Sequence, residues 1–461
     1  MNLTKKIAFG FIITGLACLI TGLLFGFLGS LVYVFPNFLK DTLSFQKLRP
    51  LHVFLVTQWI WCAALGCMYY YINSIAKLFS ARLALFHLLL QIIVITVAVS
   101  AFFAGKFSGR EYMEFSFWLV VLLIAGFIMA LINLAASLKP HLSRSPVFVW
   151  SWTTGLIFFV ITLTESVLWK FSFFNANPVR DTTIQWKALG SMVGAWNMLI
   201  YGSAIFIMSK TSGRRIAYSK TAFAFYFLGL TNLMFNWGHH TYVVPASGWI
   251  KNVAYVISMT ELLLLFKMIK DWTGDFRKDH SNKHLSFQML VLADRWILLN
   301  LFLAIVISVP FINQFTHGTH ITVAHAMGAT IGINTTLLLA AVFFICKQEN
   351  MSCINYESLK TKLWVFNLSL LTFWLSLLVM GVGRSVSQVE HVSFYNMLQK
   401  ISTAVRVFSL SGFVLMAVII VIAFPIMITM IKNLKRIAMQ ENHPELRPFT
   451  DSTTTIEKLK M

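Results

Sequence analysis

Apolar runs of roughly 20 to 28 residues recur twelve times along this 461-residue chain, separated by short polar segments. Each is long enough to cross the ~30 Å hydrocarbon core of a bilayer as a helix, with some tilt. The runs lie at 7–34, 52–72, 82–104, 115–137, 147–171, 184–208, 219–243, 249–271, 289–313, 321–346, 361–384 and 403–432. A soluble domain of this size does not carry 57% hydrophobic and 12% charged residues. The expected architecture is an all-α polytopic membrane protein: one bundle of about twelve transmembrane helices over 1–432, then a polar cytoplasmic tail over 433–461. Its first partner is membrane lipid.

The formal charge of +20 invites a nucleic-acid reading, but the basic residues are scattered through short loops. Lys5, Lys6, Lys77, Arg82, Lys210, Arg215, Lys220, Lys347, Lys360 and Lys362 fall on one side of an alternating topology. Opposite loops hold about half as many. The positive-inside rule therefore puts both termini in the cytoplasm, and no nucleic-acid partner is expected. The five cysteines include no C-x-x-C pair and no C-x-x-C-H haem attachment motif. The apolar stretch after Lys6 is too long for a signal-peptide core and reads as a retained span.

Ionisable side chains inside a membrane are costly and mark function. His239 and His240 end the seventh run. On the alternating topology they share the outer part of the membrane with His52, at the outer end of span 2, and His325, one turn inside span 10. Glu261 lies near the middle of span 8. Taken singly, His52 reads equally as an interfacial residue, and His325 as a partner for a neighbouring helix. Together, four imidazoles on three spans at one level point to a buried metal site, since imidazole suits iron, copper and zinc. His87, His141, His280, His284, His391 and His443 fall at span ends or in loops and are expected to be solvated.

Gly109-Arg110-Glu111-Tyr112, the pair in Gly238-His239-His240, and Thr316-His317-Gly318-Thr319-His320-Ile321-Thr322-Val323-Ala324-His325 resemble the large subunit of nitric oxide reductase. That protein is a member of the haem–copper oxidase superfamily, and the likeness covers about 400 residues. It implies two haems b, one low-spin and one high-spin, with a non-haem iron (or copper) facing the latter. His52 then resembles an axial ligand of the low-spin haem and His325 the proximal ligand of the high-spin haem. His239 and His240 resemble two of three histidines on the non-haem metal, and Glu261 the glutamate beside it. Glu111 matches an outer-loop glutamate that helps bind calcium near the haem propionates. His317 and His320 flank the outer entrance of span 10, either solvated or within reach of those propionates. The resemblance further implies a bacterial inner (cytoplasmic) membrane, and a membrane-anchored cytochrome c subunit or soluble cytochrome c as electron donor.

Two departures from the family pattern matter. Where it has His-x-x-x-Glu-Gly-x-Trp-Glu in span 6, this chain has Leu189, Val193 and Asn197 at the histidine and the two glutamates. Positions 189 and 193 share a helix face, so one face loses a metal ligand and a carboxylate together. Asn197 is two turns from Leu189, too far to replace it. Where the family has His-x-His in span 10, this chain has His325-Ala326-Met327. Residues i and i+2 point about 200° apart on a helix, so Met327 is placed to ligate the low-spin haem opposite His52, or else merely packs. His/Met ligation raises a haem's potential.

The implied activity is reduction of NO to N2O. With Leu189, the non-haem ion keeps two imidazoles and Glu261, a recognised iron(II) arrangement. Three alternatives stand beside it: a dismutase-like NO chemistry, an oxygen-reducing haem–copper oxidase relative, and a non-catalytic haem electron-transfer subunit. No acidic residue lies well inside the cytoplasmic half of the spans, which favours proton uptake from outside.

Overall fold

The computed structural model describes residues 3–138, 145–212, 215–242, 244–245, 247–279 and 285–442; the side chains of 212, 236, 258–262, 275–279 and 437–442 lie outside that description. Twelve long helical segments follow one another: α1 Leu3–Val34, α2 Phe45–Ile72, α3 Ala81–Phe103, α4 Phe117–Leu138, α5 Val147–Glu165, α6 Pro178–Ser212, α7 Lys220–Phe235, α8 Gly248–Asp279, α9 Leu285–Ser308, α10 His320–Gln348, α11 Tyr356–Val389 and α12 Phe394–Asn442. Ten of the described helices are long and apolar enough to cross a membrane. The other two segments, α7 and α8, lie where the seventh and eighth spans are expected; α7 continues as a 3-10 helix over Asn236–Thr241. No strand occurs among the described residues. The chain is an all-α polytopic membrane protein.

Lipid tails are as apolar as leucine, so helices in a bilayer associate by close packing and buried polar contacts rather than by hydrophobic burial. Both devices operate here. Glycines on α1 admit α2 closely, Ser409 on α12 donates to the Ser30 carbonyl at 3.0 Å, and Tyr71 on α2 donates to the Ala341 carbonyl at 2.9 Å. Aromatic rings fill the spaces between; Phe127 and Phe159 stack at 4.2 Å.

Ion pairs and caps sort the loops onto two faces. Lys5 pairs with Glu349 at 2.6 Å, which puts the start of α1 and the α10–α11 loop together. Asn133 near the end of α4 bonds the backbone of Ser80, the N-cap of α3, through both amide atoms. On the other face Arg49, just before His52, reaches Glu111 and Glu114 in the α3–α4 loop, and Arg110 reaches Asp181 at the start of α6, 2.6 Å away. This grouping is the one an alternating topology requires. Helix α12 runs on to Asn442, and residues 443–461 lie outside the described chain.

Two elements depart from the sequence expectation. Helix α10 changes pitch in the middle: a π-helix over Gly328–Thr335 follows directly on Met327. Such segments widen a helix locally and gather at functional sites. His87, expected to be solvated, is fully buried on α3, with Nδ1 3.2 Å from the Tyr69 hydroxyl and Phe11 packed on its ring. Gly126 on α4 makes the room; a Cβ there would lie 2.7 Å from the imidazole. His391 is exposed, as expected, while His141, His280, His284 and His443 lie outside the described residues.

Candidate cofactor site

His52 sits in the second turn of α2 with its ring laid against α1. Its Nδ1 is 2.8 Å from the carbonyl oxygen of Gly22. A carbonyl only accepts, so Nδ1 carries the proton and Nε2 keeps its lone pair for a metal. The ring fits because residue 26 is glycine: a Cβ there would lie 2.5 Å from Nδ1.

Opposite stands α10. Trp59, two turns after His52 on the same helix face, donates its indole N–H to the Thr335 hydroxyl at 3.2 Å. Both helices run in the same direction, so stepping back two turns on each leads to His52 on α2 and to Met327–Gly328 on α10. His52 and Met327 thus both lie on the outward side of that contact. Met327 is half-buried and packs against the core. His325 lies two residues earlier, and its Nδ1 is buried without a hydrogen-bond partner.

The T-H-G-T motif has a local structural meaning. Gly318 turns the chain at φ +72°, and Thr319 caps α10 by accepting from the Ile321 N–H. The hydroxyls of Thr319 and Thr322 both donate to the Thr316 carbonyl. This knot holds His317 and His320 on either side of the helix start; both are half-buried rather than solvated. Burial lowers the pKa of His317, favouring its neutral form. His320 borders a cavity of about 230 Å3 shared with Tyr33, Val323, Met380, Arg384 and Phe408. Val323 and Met327 are one turn apart, so the cavity lies outward of Met327 on the same side of α10.

His239 and His240 lie in the 3-10 helix after α7, with ring centroids 4.1 Å apart. Trp186 on α6 stacks on His240 at 5.0 Å with planes 5° apart, and His317 lies 6.5 Å from His240 and 6.1 Å from Trp186. The 3-10 helix and the segment that starts α10 thus bring His239, His240 and His317 close together, and Trp186 joins them. Its only signal in the sequence is its place one turn before Leu189 on the same helix face. Leu189 is half-buried against the core. Asn197, at the second glutamate position, accepts a hydrogen bond from Asn334 of the π-helix at 3.1 Å.

Glu261 lies on α8, but its side chain is outside the described residues. Among the described residues no three His, Cys, Asp or Glu side chains are arranged to hold a metal ion. In the α3–α4 loop Gly109 turns the chain at φ +97° and Tyr112 sits at φ +68°. Glu111 and Glu114 converge on Arg49 at 2.6 and 3.0 Å. Arg49 takes one oxygen of the half-exposed Glu111 carboxylate.

The family profile of cytochrome c and quinol oxidase polypeptide I matches residues 6–414. The chain belongs to this family. Among curated relatives of this oxidase-family chain, a nitric oxide reductase subunit of Stutzerimonas stutzeri is 23% identical over 363 residues, 74% of this chain and 75% of the relative. A cytochrome c oxidase subunit 1 homolog of Agrobacterium tumefaciens (strain T37) is 20% identical over 399 residues, covering 81% and 72%. The cbb3-type cytochrome c oxidase subunit CcoN1 of Stutzerimonas stutzeri is 20% identical over 375 residues, covering 77% and 78%. The solved structure of a heme-copper terminal oxidase dimer superposes with a TM-score of 0.73 at 14% identity, over 93% of this chain and 84% of that one. The fold is therefore that of a haem–copper oxidase subunit I.

Membership implies haem and a second metal. The residues fit haem: His52 is held in the ligating tautomer, His325 keeps a buried ring nitrogen without a partner, and a cavity with a cationic rim lies outward of Met327. For the second metal the described side chains offer the imidazole pair alone at close range.

Proposed function

We propose that this chain is the haem-carrying component of a nitric oxide reductase-like respiratory complex in a bacterial cytoplasmic membrane, with both termini inside. Two NO molecules, two electrons and two protons give N2O and water. The observation that supports this reading is the packing of the His239–His240 pair and His317 around Trp186, in a chain whose His52 ring is held by the Gly22 carbonyl.

In this reading His52 and Met327 hold the low-spin haem b, and His325 holds the high-spin one. His239 and His240, with Glu261, hold a non-haem iron, or copper. Bound haem iron supplies the one-electron chemistry and the place where NO is reduced. The chain's own residues orient and insulate. Trp186 fixes the plane of His240, Gly26 and the Gly22 carbonyl fix His52, and Arg384 with His320 and Tyr33 offers a cationic, hydrogen-bonding end for haem propionates. Protons enter from the face that carries Arg110. A narrow cleft there is lined by Arg110, Glu111, Gln185 and Glu165 and ends against Leu189. Lys187 pairs with Glu165, whose second oxygen is buried without a partner. Electrons come from a cytochrome c, either a membrane-anchored partner subunit or a soluble protein.

One observation favours a second reading. Leu189, Val193 and the Asn197–Asn334 amide pair make a neutral wall where the family pattern places a metal ligand and two carboxylates. A chain of that kind keeps its haems for electron transfer and lacks the non-haem metal. Oxygen reduction on the same haem scaffold would take four electrons and four protons per O2. Gas analysis of the purified, reduced protein under NO and under O2 decides. N2O formation supports the proposal, O2 consumption without N2O supports the oxidase, and neither gas reacting supports the electron-transfer subunit.

A further inference from the structure

The corner between α10 and α11 carries a second piece of chemistry that haem ligation does not use. Helix α10 ends in a Schellman motif: the Asn350 N–H bonds the Lys347 carbonyl at 3.1 Å and the Met351 N–H bonds the Cys346 carbonyl at 2.8 Å. Asn350 takes the left-handed conformation this closure needs, with φ +53°. The reversal returns Cys353 over Cys346, and the two sulfurs stand 3.1 Å apart. Cys346 is buried and Cys353 half-buried. The corner is anchored from two sides, because Glu349 takes the Lys5 ammonium at 2.6 Å and the Tyr70 hydroxyl at 2.5 Å.

We propose that Cys346 and Cys353 form a reversible dithiol–disulfide site on the N-terminal face of the protein, oxidised by low-molecular-weight disulfides. Sulfurs held in contact by a closed backbone motif lose little further freedom on bonding. The half-exposed Cys353 is the attacking thiol; contact with the Cys346 sulfur holds its pKa below the ordinary thiol value. Its thiolate attacks one sulfur of the reagent and expels a thiolate, leaving a mixed disulfide. Cys346 then gives up its proton, attacks the Cys353 sulfur and expels the second thiolate. The pair loses two electrons and two protons, and the reagent leaves as two thiols. The bond ties the end of the helix bearing His325 to the loop that enters α11.

The test uses the full-length protein in detergent with oxidised glutathione as the probe. Thiols are counted with a maleimide after unfolding, and peptides are mapped by mass spectrometry. The expected result is a fall from five reactive thiols to three, restored by dithiothreitol, with the Cys346–Cys353 peptide lighter by two hydrogens. Cys353→Ser is expected to keep its four cysteines reactive, whereas Cys346→Ala is expected to keep three, with Cys353 held as the glutathione mixed disulfide. Five thiols persisting in the wild type, a loss mapped to Cys18, Cys62 or Cys67, or a loss of two in either variant overturns the proposal. The wild-type measurement stands even where a variant does not fold.

Discussion

The indole of Trp186 lies parallel to the imidazole of His240, with centroids 5.0 Å apart and planes within 5°. Trp186 sits one turn before Leu189, so the helix that lacks the family's histidine still presses a flat ring on the imidazole pair. A residue that fixes a ligand ring acts on metal affinity through it, by about 10–100-fold in metal sites generally. Trp186→Ala is expected to lower non-haem metal content by about tenfold, and Trp186→Phe by less. Metal analysis at graded iron concentration checks this, with haem content as the internal control for folding.

Gly26 and His52 give a second expectation. A methyl group at position 26 collides with Nδ1 and turns the imidazole away from the Gly22 carbonyl. Gly26→Ala is expected to lose the low-spin haem while keeping the other. The reduced visible spectrum and the haem-to-protein ratio report it, and two haems retained in G26A would refute the role given to His52.

The Asn197–Asn334 bond stands where the family pattern has a carboxylate. Removing one amide strands the other, at a cost of about 1–3 kcal/mol, whereas removing both is close to neutral when shape is kept. Asn334→Leu and Asn197→Leu are each expected to lower the thermal midpoint. The double variant should recover much of the loss. A midpoint for the double at the sum of the singles would show that the pair does not interact.

Glu114 sets a pH dependence. Burial raises its carboxyl pKa above the ordinary value of 4.5, although Arg49 pulls the other way. The folded protein therefore holds this proton more tightly than the unfolded chain does. Its contribution to stability is fullest below pH 4.5 and is lost as pH rises through the raised pKa. Thermal melts of Glu114→Gln against wild type, from pH 4.5 upward, should converge at the acid end and separate as pH rises, with the wild type falling further.

The ten helices long and apolar enough to cross a membrane were readable because each is a long uninterrupted apolar run, and the candidate ligands drew notice because histidines are rare inside such runs. What was not readable depends on neighbours far along the chain. His87 looks like a span-end residue by position, yet Gly126 on α4 gives it a buried niche. His317 looks like a loop residue, yet the turn at Gly318 and the cap at Thr319 fold it against Trp186 and His240. The change of pitch after Met327 has no hydropathy signature, since a π-turn keeps the same apolar residues and alters only which carbonyls they bond.

The claim on which the rest depends is that these histidines grip haem at one level of the bundle. Haem and iron quantification on the purified chain, with visible and EPR spectra, tests it directly. The account predicts two b-type haems per chain, one of them a His/Met low-spin species lost in both His52→Ala and Met327→Ala. A protein with no haem, or one whose spectra are unchanged by those substitutions, would contradict it.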